Sequence, residues 1–574
     1  MSNKPLYNAK VRQIRDLKDM VSQSAELFGN KAAYQVKQSN GHYKQITFTE
    51  FKQDIDALGT ALIDLGLKGS FIGVLGENRY EWCVSYLSVV NGTGVVVPLD
   101  KELPLTELEN LLVRSNTKAI LFSGKYAKEI KAISATLSSV KYFINMDLEQ
   151  DENNMLSYKK LLKRGQDLLS SGHRSFVDAE INPDVMSVLI FTSGTTDLAK
   201  GVMLSHKNIC SNVVAVSSAL EIHSSDSALS ILPLHHTYEC TAGFLAIAYN
   251  GCTLSFNEGL KHISKNLKET SPTLLMMVPL ILESIYKKIW DQAGKKNGGK
   301  LKLKAALTVS NFLLNTFNID VRKKLFKTIH DTIGGKVRMI FAGAAALDPE
   351  VSKGLRAMGI NVLQGYGLTE FSPIVTVNRN EFNKNDSIGL PLPGVRVKIV
   401  NPDSDGIGEI VVKGDSVMLG YFENQLATEK VIKDGWLYTG DLGIMDESGF
   451  YRITGRKKNV IVTKNGKNIF PEEVETYLNK SEFILESLVS GSVDENSGET
   501  LVSAQIVPDF DAIKQKLKVD SIPPEEIKAI ISAEVKMINK YMPLYKHVRH
   551  FTIREEEFAK TTTKKIKRHT QKTG

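Results

Sequence analysis

Short apolar runs alternate with amphipathic segments along the first half of the chain, and this alternation restricts the possible folds more than any other feature. Residues 49–67 carry apolar side chains at helical spacing, and the runs at 71–75, 94–98 and 119–122 have the composition of buried strands. Helical segments at 82–91 and 105–115 separate these runs, and strand patterns return at 228–234, 253–256 and 274–278. Strands that alternate with helices predict an α/β fold built on doubly wound, mainly parallel sheets.

The length of 574 residues exceeds what one hydrophobic core supports, so we expect at least two domains. From Ile388 the pattern changes to alternating strands separated by a turn cluster at 401–406, which predicts a small β-rich unit over 376–455. We therefore predict a large N-terminal domain over 1–455 that includes this unit. A small α+β domain follows over 456–574.

Composition indicates a globular protein of the cytoplasm. The chain is 42% hydrophobic and 24% charged, which is typical of a soluble enzyme. The apolar stretch at 274–282 is too short to span a membrane, and the first residues lack an apolar signal core. Four widely spaced cysteines favour free thiols in a reducing compartment. His235, His236 and Cys240 lack an evident fourth ligand for zinc.

The net charge of +8 is concentrated at the C-terminal end. Residues 560–574 contain no acid and six basic residues: Lys560, Lys564, Lys565, Lys567, Arg568 and Lys572. Such a tail is typical of a solvated end, or of an arm for nucleic acid or for an anionic lipid surface. Peripheral contact with the inner face of the membrane therefore stays open. A second lysine-rich segment, 290–304, is interpreted as a mobile surface loop, with a solvated turn favoured over nucleic-acid binding.

A run of small hydroxylated residues between a strand at 185–190 and a helix at 208–219 predicts a phosphate loop. It consists of Thr192, Ser193, Gly194, Thr195 and Thr196, followed by Lys200. Small residues let backbone N–H groups surround an anion, while the hydroxyls add donors and the lysine adds charge. The spacing differs from that of the common P-loop. The alternative is an ordinary turn rich in serine, threonine and glycine.

Four later segments carry further candidate chemistry. Residues 341–346 are small enough for a flat ring to approach the backbone, and 364–370 combine an aromatic ring, a hydroxyl and a carboxylate. Residues 438–441 present one carboxylate, and 454–468 form a basic strand-and-hairpin segment. Taken singly, Tyr366 could belong to the core, Asp441 could cap a helix and Arg456 could be a surface charge. Their order after a phosphate loop is the specific signal.

In this order the segments resemble the adenylate-forming superfamily of acyl-CoA synthetases, adenylation domains and luciferases. The resemblance covers essentially the whole chain, and the segments at 233–236 and 558–568 look most like those of long-chain fatty acid–CoA ligases. It implies that ATP and a fatty acid form an acyl-adenylate, which coenzyme A then converts to a thioester, with AMP and pyrophosphate released. It also implies that the C-terminal domain is a mobile lid with its hinge at Lys458.

The resemblance assigns a role to each matching residue. Glu370 matches the Mg²⁺ carboxylate, Thr369 a phosphate-binding hydroxyl, His236 a residue at the acyl pocket and Lys565 the lid lysine that bridges the carboxylate and the α-phosphate. The resemblance implies that Lys458 is the hinge and that Gly466 lines the path of coenzyme A. It implies nucleotide contacts for Thr192, Ser193, Gly194, Thr195, Thr196, Lys200, Gly343, Ala344, Ala345, Tyr366, Gly367, Asp441 and Arg456.

The sequence departs from the family pattern at three positions. Asp197 and Ala199 stand where the phosphate loop usually has glycine and proline. Lys564 replaces a glycine, which makes the lid lysine either Lys564 or Lys565, and we favour Lys565 because Ile566 and Arg568 keep the register. We still predict an active enzyme.

Two alternatives to a fatty acyl-CoA ligase remain. The first is an adenylating enzyme for acyl, amino or aryl acids that delivers its product to a carrier protein in trans. The absence of an acidic residue beside His235 and His236 counts against amino acids. The second is a basic binding protein without catalysis, which would bind in a salt-sensitive way. For the enzyme we expect no nucleic-acid partner.

Overall fold

The computed structural model describes residues 11–192, 199–462, 468–493, 500–561 and 566–568. The chain divides into two compact units. The first contains the described residues up to Arg396 together with 413–437, and the second contains 397–412 and the described residues from Tyr438 onwards. The predicted domain boundary at 455/456 stays a prediction.

The strands, in chain order, are β1 (Ala32–Lys37), β2 (Tyr43–Thr47), β3 (Ser70–Leu75), β4 (Gly94–Leu99), β5 (Ala119–Phe122), β6 (Tyr142–Asn145), β7 (Met155–Ser157), β8 (Met186–Thr192), β9 (Lys200–Ser205), β10 (Ser227–Ser230), β11 (Thr253–Phe256), β12 (Leu274–Met277), β13 (Met339–Ala342), β14 (Val362–Gly367), β15 (Ile374–Val377), β16 (Leu390–Pro391), β17 (Arg396–Val400), β18 (Gly408–Lys413), β19 (Gly420–Tyr421), β20 (Ile432–Lys433), β21 (Trp436–Met445), β22 (Tyr451–Arg456), β23 (Ile461–Val462), β24 (Asn468–Ile469), β25 (Ile484–Val493), β26 (Thr500–Pro508) and β27 (Val548–Ile553).

The α-helices are α1 (Leu17–Phe28), α2 (Phe48–Asp64), α3 (Tyr80–Ser88), α4 (Leu105–Arg114), α5 (Ala127–Ile133), α6 (Tyr158–Ser170), α7 (His206–Ala219), α8 (Ala246–Tyr249), α9 (Ile263–Thr270), α10 (Pro279–Gly294), α11 (Gly299–Phe317), α12 (Arg322–Leu325), α13 (Lys327–Thr332), α14 (Pro349–Ala357), α15 (Gln425–Val431), α16 (Pro471–Leu478), α17 (Phe510–Leu517) and α18 (Pro524–Asn539).

Two large sheets form the first unit. The nine-stranded sheet has the order β16-β15-β14-β13-β12-β10-β11-β1-β2, and the strands from β14 to β1 are parallel. The eight-stranded sheet has the order β19-β9-β8-β4-β3-β5-β6-β7, in which β9 and β19 are antiparallel to their neighbours. Helices cover the apolar strands, as expected for parallel sheets. The predicted α/β class and doubly wound arrangement are confirmed.

Capping boxes mark the start of two helices. At α2, the Thr47 hydroxyl accepts from the Glu50 N–H while the Glu50 carboxylate accepts from the Thr47 N–H, so the two residues form a capping box. Ser205 and Asn208 form the same arrangement at α7. This box fixes the start of the helix that follows β9, and hence the end of the segment that contains the predicted phosphate loop.

The second unit is smaller and of mixed α and β structure. In it β21 pairs antiparallel with β22, and β25, β26 and β27 form a three-stranded sheet. Helices α16, α17 and α18 pack their apolar faces onto this sheet in one buried core, which includes Ile469, Val474, Ile506 and Ile531. A smaller domain after the large sheet domain is therefore confirmed.

One local prediction is wrong. Residues 290–304 are not a long loop, because α10 continues to Gly294 and α11 begins at Gly299. Only residues 295–298 connect the two helices. Glycine and lysine favoured a loop locally, but packing of α11 against α10 and α14 overrides that preference.

Candidate functional site

Three predicted segments of the first unit lie at the carboxyl ends of parallel strands that are close together in one sheet. The segment 233–236 lies shortly after β10, residues 343–345 follow β13, and residues 368–370 follow β14. The carboxyl ends of parallel strands meet at one edge, which is where open α/β sheets bind ligands. Consistent with this, the hydroxyl oxygens of Thr237 and Thr369 lie 3.3 Å apart.

Lys200 and Glu370 are brought together by Tyr421, a residue that the sequence interpretation missed. The Lys200 ammonium lies 4.7 Å from the centroid of the Tyr421 ring, and the Tyr421 hydroxyl donates to Glu370 Oε1 at 2.9 Å. One aromatic side chain thus contacts a cation with its face and orients a carboxylate with its hydroxyl. We call Lys200, Tyr421 and Glu370 the lysine–tyrosine–glutamate group.

Backbone pairing fixes the position of Tyr421. Strand β19 adds to the edge of β9, with Tyr421 opposite Val202, and the Phe422 N–H donates to the Gly201 carbonyl at 2.7 Å. On the other side the Met418 N–H donates to the Glu370 carbonyl at 2.9 Å. Because these bonds hold the backbone on both sides of the ring, the tyrosine is a fixed part of the site.

The described ends of the predicted phosphate loop are Thr192 and Ala199. Thr192 is the last residue of β8 and pairs with Lys200 at the start of β9, and its hydroxyl lies 3.4 Å from the Lys200 carbonyl. The β8–β9 pairing therefore brings the two ends of the predicted phosphate loop next to each other. Ser193, Gly194, Thr195, Thr196 and Asp197 lie outside the described residues.

His236 and Tyr238 belong to the segment that follows β10. The Tyr238 N–H donates to His236 Nδ1 at 3.3 Å, and the Tyr238 hydroxyl donates to the Phe341 carbonyl at 2.9 Å. The Tyr238 ring lies so close to Gly343 that a Cβ at that position would be 3.2 Å from it. Tyr238 therefore contacts both His236 of the predicted acyl-pocket segment and Gly343 of the predicted adenine-side loop.

The remaining adenine-side residues differ in exposure. Ala344 has a φ of 73°, a left-handed conformation that is uncommon for residues other than glycine, while Ala345 is exposed. Tyr366 is 9% exposed at the end of β14. At Gly367 a Cβ would lie 2.2 Å from the Pro373 carbonyl oxygen, so only glycine fits there.

The second unit pairs two of the predicted residues directly. Asp441 and Arg456 lie opposite each other on β21 and β22, and Arg456 Nε is 2.6 Å from Asp441 Oδ1. The Asp441 carboxylate is nearly buried, whereas the arginine is half-exposed. Lys457 makes an ion pair with the buried Glu409 at 2.8 Å, and the neighbouring Lys458 is exposed.

Several contacts fasten the described part of the basic tail to the second unit. Lys560 Nζ lies 2.7 Å from Glu486 Oε2 on β25, and Arg568 Nη2 lies 2.5 Å from Glu475 Oε2 on α16. Burial raises the pKa of Glu475 to about 7, although the arginine guanidinium opposes that shift. Lys560 and Arg568 are therefore held by ion pairs, whereas Lys567 is exposed. Lys565 and Gly466 lie outside the described residues.

Tyr421, Thr237 and Tyr238 were absent from the predicted site. Thr237 and Tyr238 directly follow the predicted segment 233–236, so their position in the sequence is a usable signal. Tyr421 has only a weak signal, an aromatic residue after a glycine in a short apolar segment. Its partners are 221 and 51 residues away along the chain, as the positions 200, 370 and 421 show.

Comparison with known proteins places these features in a family. Residues 21–422 match the AMP-binding enzyme family. A long chain acyl-CoA synthetase 6 of peroxisomes from Arabidopsis thaliana is 30% identical over 81% of this chain and 69% of its own length. The long-chain-fatty-acid–CoA ligase FadD15 of Mycobacterium bovis is 26% identical over 92% of this chain and 90% of its own. Among solved structures, the chain is similar to o-succinylbenzoate CoA synthetase from Bacillus subtilis in complex with its acyl-adenylate intermediate. The TM-score is 0.73 at 22% identity, and the match covers 97% of this chain and 98% of that one.

Proposed function

Since this chain belongs to the family of AMP-binding enzymes, within the adenylate-forming superfamily, we propose that it activates a medium- to long-chain fatty acid with ATP and transfers the acyl group to coenzyme A. The observation that carries the chemistry is the lysine–tyrosine–glutamate group, in which Tyr421 bonds to Glu370 at 2.9 Å and lies under the Lys200 ammonium. A cation and an oriented carboxylate on one ring suit a triphosphate and its divalent ion. The relatives named as long-chain ligases support the substrate class.

In the first half-reaction the fatty carboxylate attacks the α-phosphorus of ATP, and pyrophosphate leaves. Two anions approach each other in this step, so positive charge must be positioned in advance. Lys200 and the hydroxyl of Thr192, with Ser193, Gly194, Thr195 and Thr196, would bind the β- and γ-phosphates. Thr369 would donate to a phosphate oxygen from its position beside Thr237.

Glu370 fits a magnesium ion. Its side chain is partly accessible, and the Tyr421 hydroxyl orients one carboxylate oxygen, which is the hard ligand that Mg²⁺ prefers to share with phosphate. The bound ion would neutralise charge on the departing pyrophosphate. The protein's part is to hold the carboxylate in one orientation, which Tyr421 does.

The adenine would lie against Tyr366, with Gly343, Ala344, Ala345 and Gly367 forming the backbone around it. A β-carbon at Gly343 or Gly367 would crowd Tyr238 or the Pro373 carbonyl. Gly367 therefore requires glycine whatever ligand binds, whereas a side chain at Gly343 would need a small shift of the Tyr238 ring.

The second unit would supply the remaining groups. Asp441 would accept from the ribose hydroxyls, with Arg456 as a further contact, and Lys565 would bridge the carboxylate and the α-phosphate. We also propose that residues 456–574 act as a lid that turns at Lys458 between the half-reactions, and that Gly466 lines the path of the coenzyme A thiol. That thiol then displaces AMP to give the thioester.

His236 would lie at the acyl pocket, on the segment that Tyr238 joins to the adenine-side loop.

The site of action is proposed to be the cytoplasm, on the basis of four unpaired and buried cysteines. Within the described residues no helix combines the length and the apolar character needed to cross a membrane.

The proposal is tested by product analysis. Purified protein is incubated with MgATP, saturated fatty acids of graded length and either coenzyme A or a holo acyl carrier protein. We expect an acyl-CoA thioester and equimolar AMP, with a maximum in the medium- to long-chain range. Acylation of the carrier but not of coenzyme A would instead assign the enzyme to carrier loading. Absence of both thioesters would refute the proposal.

A further inference from the structure

Helix α11 carries apolar side chains on two opposite faces. Of its 19 residues only Ser310 is buried. The face on the side of Ser310 is half-buried where the helix meets α10 and α14, and it comprises Leu303, Ala306, Leu307, Leu313 and Leu314. A surface helix normally places polar residues on the side away from the core. Here that side is apolar as well.

The outward face is a continuous stripe of exposed apolar residues. Leu301 is 73% exposed, Val309 53% and Phe312 57%, with the exposed Ala305 between them. These residues recur at spacings of three and four and cover about 16 Å of helix length. We call Leu301, Ala305, Val309 and Phe312 the outer stripe.

The exposed apolar surface extends from the outer stripe to the last residue of the helix and two residues beyond it. The Phe317 ring, 58% exposed, packs edge-on against Phe312 with centroids 5.8 Å apart, and Ile319 is 51% exposed. Two phenylalanine rings in mutual contact at the surface form a patch of the kind that marks an interaction site.

The charge around the stripe is strongly positive. Lys302 borders the outer stripe on one side and Lys304 on the other, with Lys300 further round beyond Lys304, since each residue advances about 100° around a helix. The whole segment from α10 to α12 contains ten lysine and arginine residues and only three acids. Lysine stems can lie along an apolar surface while their ammonium groups reach outward to anions.

We propose that the outer stripe is a docking surface for an anionic lipid bilayer, with α11 lying in the plane of the membrane interface. An apolar stripe bordered by lysines is the pattern of a helix that inserts its apolar side chains between acyl chains and binds lipid phosphates at its edges. Pairing with a second copy of the same face would bring two strongly positive segments together, which charge repulsion opposes. Nucleic acid would use the lysines but leave Leu301, Val309 and Phe312 exposed to water.

The surface is separate from the proposed catalytic groups, so it can be tested without reference to turnover. The full-length chain is sedimented with vesicles of phosphatidylcholine and phosphatidylglycerol, and with vesicles of phosphatidylcholine alone. We expect binding to the anionic vesicles that decreases with salt. The triple variant Leu301→Ser, Val309→Ser, Phe312→Ser should bind at least about tenfold more weakly.

A matched control changes three leucines that are equally exposed elsewhere in the first unit. Leu27, Leu260 and Leu426 are 60%, 60% and 73% exposed, and their replacement by serine should leave vesicle binding unchanged. Replacing Lys300, Lys302 and Lys304 by glutamine should weaken binding to anionic vesicles by roughly 100-fold and reduce its salt dependence. The same change at the exposed Lys128, Lys131 and Lys261 should have a much smaller effect.

Three outcomes would overturn the proposal. The first is absence of binding to either vesicle. The second is equal binding by the wild type and the stripe variant, which would assign membrane contact to another surface such as the basic tail. The third is self-association in analytical ultracentrifugation that the stripe variant abolishes, without vesicle binding, which would make the face an interface between copies. Acyl-CoA formation from detergent-dispersed fatty acid does not require vesicle binding. It therefore tests the proposed function separately from the proposed membrane surface.

Discussion

Replacement of Tyr421 by phenylalanine isolates the hydrogen bond that orients Glu370. The variant keeps the ring under the Lys200 ammonium and removes only the hydroxyl that donates to Glu370 Oε1 at 2.9 Å. A hydrogen bond to a charged group contributes about 1.5–3 kcal/mol, and the partial exposure of Glu370 favours the lower end. We therefore expect ATP-dependent adenylation to fall roughly 10- to 30-fold, since about 1.4 kcal/mol is a factor of ten.

The assay is the initial rate of fatty-acid-dependent pyrophosphate exchange over a range of Mg²⁺ concentrations. Because the lost bond positions the magnesium carboxylate, the Mg²⁺ concentration at half-maximal rate should rise. Tyr43→Phe is the matched control, because the Tyr43 hydroxyl donates to Glu269 over the same 2.9 Å at an exposed position. Wild-type magnesium dependence in Tyr421→Phe, or an equal loss in Tyr43→Phe, would refute the reasoning.

Three further changes test other parts of the account. Lys565→Ala should lower the rate of adenylate formation by roughly 10²–10³-fold while sparing thioester formation from supplied acyl-adenylate. Single-turnover assays of each half-reaction measure both rates, and equal losses in the two would show that Lys565 does not act specifically in the first. Lys458→Pro should spare pyrophosphate exchange but block thioester formation because proline stiffens the hinge, and unchanged overall turnover would argue against a hinge there. Burial lowers the pKa of His206 to about 4, and its ring accepts from the Leu17 N–H at 3.1 Å and donates to the Val90 carbonyl at 3.0 Å. The unfolded chain therefore takes up a proton between pH 6.5 and 4 that the folded chain does not, so stability should fall by up to about 3 kcal/mol as the pH decreases through that window. His206→Gln should flatten this dependence in urea unfolding at several pH values, and an unaltered slope would contradict it.

Local sequence patterns predicted the strands of the parallel sheets because buried parallel strands are short, continuous apolar runs. The run at 119–122 corresponds to β5, and the run at 253–256 to β11, with both ends as predicted. Topology then brings the ends of β10, β13 and β14 to one edge, so residues that follow strands were good candidates for the site.

What the sequence did not predict depends on contacts between distant segments. Tyr421 joins Lys200 and Glu370 only because β19 pairs with β9, and nothing local to residues 418–422 specifies that partner. Helix α11 was missed for a related reason: its lysines and flanking glycines favour a loop, and the half-buried face that stabilises it needs α10 and α14 as partners. Arg568 was expected to belong to a basic tail and to keep its register, but its ion pair with Glu475 fastens that segment to α16.

The most direct test of the central claim is exchange of labelled pyrophosphate into ATP in the absence of coenzyme A. If this chain forms an acyl-adenylate, exchange should require both Mg²⁺ and a fatty acid and should be lost in Lys565→Ala. Exchange that proceeds without a fatty acid, or no exchange with any fatty acid from medium to long chain length, would contradict the account.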